Sequence, residues 1–188
     1  MAFADELIDI PTARKIQLDD VRYEYRASPY PGGSQQHFLG VGVGESFELD
    51  LRDVWNKGTS PAGTFDFSYN LLSSIPGISP GISFGVQDAA NLTTDGRRFY
   101  AVTTFRNDLD ELPGNLYEDV TLGVQFGSLN SPFVGIALPV SKQMYLLAEH
   151  SGFRLSAGVE FRPLPHVAFR IITRDRETLL SLSGTVKF

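Results

Sequence analysis

The sequence predicts an all-β protein, an antiparallel up-and-down transmembrane β-barrel of about twelve strands over residues 16–188, behind an irregular segment, 1–15. Three observations predict it. Apolar and polar residues alternate through segment after segment. Turn chemistry interrupts those segments at regular spacing. The last segment ends on Phe188.

The strand candidates are 17–28, 35–44, 46–55, 63–72, 81–88, 97–107, 116–127, 131–138, 142–149, 152–162, 166–174 and 177–188. Residues 1–15 contain Pro11, which removes a backbone donor and breaks any helix there. In the first strand Val21, Tyr23 and Tyr25 oppose Arg22, Glu24 and Arg26. In the third, Phe47, Leu49 and Leu51 oppose Glu48, Asp50 and Arg52, and in the fourth Phe65, Phe67, Tyr69 and Leu71 oppose Asp66, Ser68 and Asn70. The seventh sets Val120, Leu122, Val124 and Phe126 against Thr121, Gly123 and Gln125. The sixth, eighth and ninth carry apolar residues on both sides, so their faces are not assigned. Side chains alternate across a strand, and each clean segment therefore has one apolar and one polar face.

Segments 29–34, 56–61 and 112–115 are turn sequences rich in Pro, Gly and Asn. Gly44-Glu45-Ser46 and Ser151-Gly152 are short enough only for hairpins between antiparallel neighbours. No connection has room for a crossover helix, so the sheet meanders. Eighteen glycines, eleven prolines and fourteen phenylalanines suit many short strands and turns. No run of eighteen apolar residues occurs, which excludes a transmembrane helix and leaves a barrel open.

Alternation is silent about inside and outside. A soluble β-barrel or β-sandwich, binding an apolar ligand or a protein partner, would bury the apolar faces. Strand candidates of roughly 9–12 residues match what a tilted strand needs to cross a bilayer. Only four of the sixteen basic residues are lysine, whereas water-facing sheets use lysine to guard their surfaces. Phe153 and Phe161 are spaced as two aromatic girdles are spaced, and the final strand ends on an aromatic residue as bacterial outer-membrane barrels typically do. The expected lipid-facing residues are Phe153, Leu155, Val159, Phe161, Leu180, Leu182, Val186 and Phe188. The expected lumen-facing charges are Arg22, Glu24, Arg26, Glu48, Asp50, Arg52, Asp66, Arg106, Arg154, Glu160, Arg162 and Arg170. They either pair across strands and plug the lumen or coat a narrow polar path, the plug being favoured because no loop is long enough to fold in as a constriction.

The net charge of −6 argues against nucleic acid as a partner. Cysteine is absent, so disulfides and thiol chemistry are excluded. His37, His150 and His166 stand apart with no metal-ligand spacing, and no metal or cofactor is expected. Asp108, Asp110 and Glu111 cluster in a loop without a calcium-loop rhythm and read as a solvated acidic turn. Asn91-Leu92-Thr93 has the form of a glycosylation acceptor and reads as a turn, and Gly40, Gly42 and Gly44 mark a bend or a close approach of a neighbour. No nucleophile-base set lies on one strand face, which argues against an outer-membrane enzyme. Met1–Glu6 has neither a basic start nor an apolar run, so no signal peptide is expected there.

Leu7-Ile8-Asp9-Ile10-Pro11-Thr12-Ala13-Arg14 resembles the entry segment of the YjbH-like outer-membrane barrels. Segments 82–88, 132–141, 147–152 and 157–166 are similar to strands of that family. Members are generally larger, so this chain would be a short single-barrel one. The resemblance implies an outer-membrane location and a link to exopolysaccharide, with no catalytic residues to carry over. The expected role is structural, anchoring or passive transport in the bacterial outer membrane. The expected partners are outer-membrane lipid, the barrel assembly machinery, and polysaccharide or other envelope proteins.

Overall fold

The structure is a computed structural model describing residues 6–55, 61–109, 116–128 and 130–188. Twelve antiparallel strands close into a barrel in sequence order. They are β1 (Asp20–Ala27), β2 (Gln35–Val43), β3 (Phe47–Trp55), β4 (Ala62–Leu72), β5 (Gly81–Gln87), β6 (Arg98–Asp108), β7 (Tyr117–Gly127), β8 (Ser131–Pro139), β9 (Met144–His150), β10 (Leu155–Leu164), β11 (Val167–Arg174) and β12 (Glu177–Lys187). The barrel closes where β1 meets β12 over eight residue pairs, from Asp20↔Lys187 to Ala27↔Leu180. Closure leaves no sheet edge to pair with another chain. The predicted turns at 56–60 and 112–115, and Asp110 and Glu111 of the acidic loop, lie outside the described residues.

The clean alternations resolve in one direction. Arg22, Glu24 and Arg26 point inward and are 1–4% exposed, while Tyr23 on the same strand is 46% exposed. Apolar side chains cover the outside of every strand, among them Leu49, Phe67, Val124, Val159, Ile171 and Leu180. A soluble barrel needs these residues buried. They are not.

The main departure from expectation concerns the N-terminal segment. The regular barrel begins at Asp20, and residues 6–16 lie within it. Leu7, Ile8, Ile10, Ala13 and Ile16 are buried, and the first four pack against Tyr100, Val102, Phe133, Ala137, Leu147, Ile172 and Leu179 from the inner wall. This contact explains why the sixth, eighth and ninth strands are apolar on both faces: one face meets the inner segment, the other lies outside. Residues 6–11 form a tight hairpin, with the Leu7 N–H donating to Ile10 O at 3.0 Å and Glu6 bridging to Pro11. Room for the segment comes from small residues on the wall. A Cβ at Gly42 would fall 2.3 Å from the Gln17 carbonyl oxygen, and one at Gly135 would fall 2.5 Å from Leu7 Cδ2. The lumen is therefore filled by the start of the chain as well as by its own charges. No long loop was needed.

Candidate functional site

The candidate site is the barrel interior and its mouth, at the end carrying the β1–β2, β5–β6, β9–β10 and β11–β12 connections. Inward positions of β1, β3, β4, β10 and β11 supply charges of both signs. On the β10–β11–β1 side, Arg170 Nε donates to Glu160 at 2.5 Å and its Nη1 lies 3.7 Å from Glu24, while Arg26 Nε donates to Glu24 at 2.6 Å. Arg162 donates to Glu160 and stacks 4.0 Å from the Tyr145 ring centroid. On the β3–β4 side, Arg52 donates to Asp66 and, at 2.6 Å, to Glu6 of the inner segment. Arg22 lies 3.8 Å from Asp50, and Arg106 Nε donates to Asp119 at 2.9 Å. In a narrow low-dielectric interior, such charges persist only when paired and hydrogen-bonded.

The network also holds the inner segment. Arg14 donates to Asp119, and the Ile16 N–H donates to Glu48 at 2.9 Å. Ala13 N–H donates to Thr104 Oγ1 at 2.8 Å. At the hairpin tip, the consecutive N–H groups of Ile8, Asp9 and Ile10 converge on the buried Glu149 carboxylate at 2.9, 2.9 and 3.3 Å. Successive backbone amides turned toward one side form a ready-made anion nest. Here the anion is a wall side chain. Asp9 then reaches past the tip to Arg26 at 3.3 Å and Arg174 at 3.4 Å.

Above Asp9 the interior opens into a cavity of about 530 Å³. Its walls carry Arg52, Arg98, Arg154, Arg174 and Arg176 beside Asp9, Asp88, Asp95, Asp175 and Glu177, with Tyr30 and Phe153 as aromatic surfaces. Below the hairpin lies a void of about 20 Å³, lined by Thr12, Arg14, Asp119 and Arg162 among others. The space above and the space below are separated by residues 6–14.

Eleven of the twelve expected lumen charges stand on the inner wall, with Arg52, Arg106 and Arg162 partly exposed. The twelfth, Arg154, lies in the turn before β10. It pairs at the mouth with Asp95 at 3.3 Å and Asp175 at 3.7 Å. Among the expected lipid-facing residues, Leu155, Val159, Phe161, Leu180, Leu182 and Val186 lie on the outer face, and Phe188 just past β12 is 83% exposed. Phe153 does not follow them. It precedes β10, so strand parity does not govern it, and its ring faces the guanidinium groups of Arg154 at 5.0 Å and Arg98 at 6.0 Å within the mouth. The pairing of Phe153 with Phe161 as two girdles is thereby corrected.

The loop between β5 and β6 is fixed by Asp88. Burial opposes its ionisation, but its carboxylate accepts from Thr64 Oγ1, Thr93 Oγ1 and the N–H groups of Leu92 and Thr93. Those bonds hold its pKa down at about 2. Asn91, of the glycosylation-like triplet, sits in the same loop at φ 57° and accepts from the Arg97 N–H at 2.9 Å, a turn role. Sequence reasoning missed Glu6, Asp9, Arg14, Arg98, Asp119, Glu149 and Arg174. Four of these, Arg98, Asp119, Glu149 and Arg174, have inward parity on their strands, which was the available signal. For the other three nothing local reveals that the segment lies inside.

No family model and no curated protein matches this chain. Among solved structures it is similar to a KdgM porin in complex with disordered oligogalacturonate, with a TM-score of 0.56 and 12% sequence identity. That likeness covers 90% of this chain and 99% of that one, and it is a likeness of barrel fold.

Proposed function

We propose that this chain is a small bacterial outer-membrane barrel with a structural, anchoring or passive-transport role in the cell envelope, its lumen closed by residues 6–16. The observation that carries this reading is orientation. The apolar side chains form a belt on the outside and the charges are gathered within, the inverse of a water-soluble barrel and the requirement of a lipid-embedded one. Lipid meets the belt, and the barrel assembly machinery would insert it. The fold likeness to a porin that holds oligogalacturonate supports passive transport. With the resemblance to YjbH-like barrels, it also favours polysaccharide or other envelope proteins as partners over nucleic acid. Any solute that passes must displace the inner segment, so transport in this reading is gated.

The test is reconstitution of the full chain into liposomes, followed by planar-bilayer recording. Because the chain has no cysteine, Ala13→Cys with Thr104→Cys introduces a single thiol pair between the segment and the wall, where the Ala13 N–H donates to Thr104 Oγ1 at 2.8 Å. The expected result is membrane insertion, with current that appears on reduction and vanishes on oxidation. A protein that stays monomeric without detergent and ignores liposomes would sink the membrane reading.

A further inference from the structure

Among the described residues that line the mouth cavity, Arg98 is a deeply placed cation that makes no salt bridge with a carboxylate. Arg98, the first residue of β6, is only 7% exposed. Its Nη1 donates to the neutral Gln125 Oε1 at 3.4 Å, and its buried Nε has no hydrogen-bond partner. Of the other four arginines around it three are committed, and the fourth, Arg176, is exposed in the β11–β12 turn. Arg52 is held by Glu6 and Asp66, Arg154 by Asp95 and Asp175, and Arg174 by Asp9 and Glu177. The carboxylates are committed too: Asp88 to four donors, and Glu177 to Ser34 as well as Arg174. A buried guanidinium with donors to spare is costly, and an oxyanion is its natural complement.

The rest of the lining describes what carries that oxyanion. Five arginines face five carboxylates, so the cavity as a whole is charge-balanced and has no field to concentrate a polyanion. The open valence deep in the cavity is local, at Arg98. Gln36 and Thr94 offer neutral hydrogen-bonding groups, and Phe153 and Tyr30 offer flat apolar faces. The volume falls within the usual range for small-molecule sites, roughly 300–1,000 Å³. The inner hairpin closes the floor, so a long chain cannot continue through.

We propose that the mouth cavity binds one oxyanion carried on a small hydroxyl-rich molecule, a sugar acid or sugar phosphate, with Arg98 as the anchor and Phe153 as the stacking surface. The proposal rests on the membrane-barrel reading only in that the mouth opens to solution.

Detergent-folded full chain is titrated calorimetrically with galacturonate, galactose 1-phosphate, galactose and trigalacturonate. Galacturonate or galactose 1-phosphate is expected to bind, and whichever binds tighter tells carboxylate from phosphate. Galactose is expected to bind at least about tenfold more weakly, and Arg98→Gln to weaken the anion by about tenfold or more. Trigalacturonate should gain little over the monomer. Heat-modifiable gel migration reports that Arg98→Gln is folded. If it is not, Phe153→Ser in the mouth should still weaken binding several-fold while leaving the barrel intact. Equal binding of galactose and galacturonate, affinity untouched by Arg98→Gln, affinity untouched by Phe153→Ser, or affinity climbing steeply with each added carboxylate would overturn the proposal. These titrations are made in detergent without a membrane, so their failure is separable from a failure to insert or conduct.

Discussion

Glu149 is the point at which the inner segment is most exposed to a single substitution. Its carboxylate accepts from three consecutive N–H groups, two of them at 2.9 Å and one at 3.3 Å. A buried donor left without an acceptor costs about 1–3 kcal/mol. Glu149→Ala removes the acceptor and strands all three donors. Counting only the two short bonds, the hairpin tip loses about 3 kcal/mol. Against this stand Leu7, Ile8 and Ile10, 7%, 1% and 2% exposed. Their burial stabilises the docked hairpin by about 1.5–3 kcal/mol apiece. The apolar side wins, so the segment stays predominantly docked but opens far more often. At about 1.4 kcal/mol per factor of ten, the open population rises roughly a hundredfold. A single cysteine reports it, since the chain has none of its own. Ile8→Cys is labelled with a maleimide in otherwise unaltered protein and in the Glu149→Ala background. Where opening and closing are fast, the labelling rate follows the open population. About a hundredfold acceleration is expected, with Glu149→Gln in between because it keeps a neutral acceptor. Equal rates in the two backgrounds, with the barrel folded in both, would refute the view that this carboxylate holds the tip.

Three further outcomes follow from the same geometry. Val159→Arg, at the middle of β10 on the outer face, should cost about 2–4 kcal/mol in bilayer refolding, against about 0–1 kcal/mol for Leu155→Arg at the strand end; equal costs would mean the outer belt does not meet lipid. Gly42→Ala should disturb the segment's entry more than Gly135→Ala, because the new Cβ meets the Gln17 backbone at 2.3 Å in the first case and flexible ends of Leu7 and Ile10 in the second; amide exchange over residues 7–18 measures the difference. The Asp88 carboxyl has a lowered folded pKa, so its stabilisation of the 88–97 loop is complete above its ordinary value of 3.8 and is lost as pH falls toward about 2. Exchange of the Leu92 and Thr93 amides should rise in that window relative to an Asp88→Asn variant, in which the pH step disappears.

Much of the barrel was legible because its determinants are local. Hairpin turns and two-residue alternation are written within a dozen residues of one another, and they place β1 to β12 to within a few residues. The outer faces of β3, β4, β7 and β12 could be read the same way. Phe153 misled because parity extends only as far as the strand does, and β10 starts two residues later.

The amino-acid sequence by itself determined that the chain is a meander of strands, each with one apolar and one polar face. Only the tertiary structure decided that the meander closes, that charges line the inside, and that residues 6–16 occupy it. The physical reason is range. The contacts that place the inner segment join Ala13 to Thr104, Ile8 to Glu149 and Leu7 to Arg170, across 91, 141 and 163 residues. No periodicity encodes such pairs. What the sequence did carry was their shadow: apolar residues on both faces of the sixth, eighth and ninth strands, unexplained until Leu7, Ile8 and Ile10 were found packed against them.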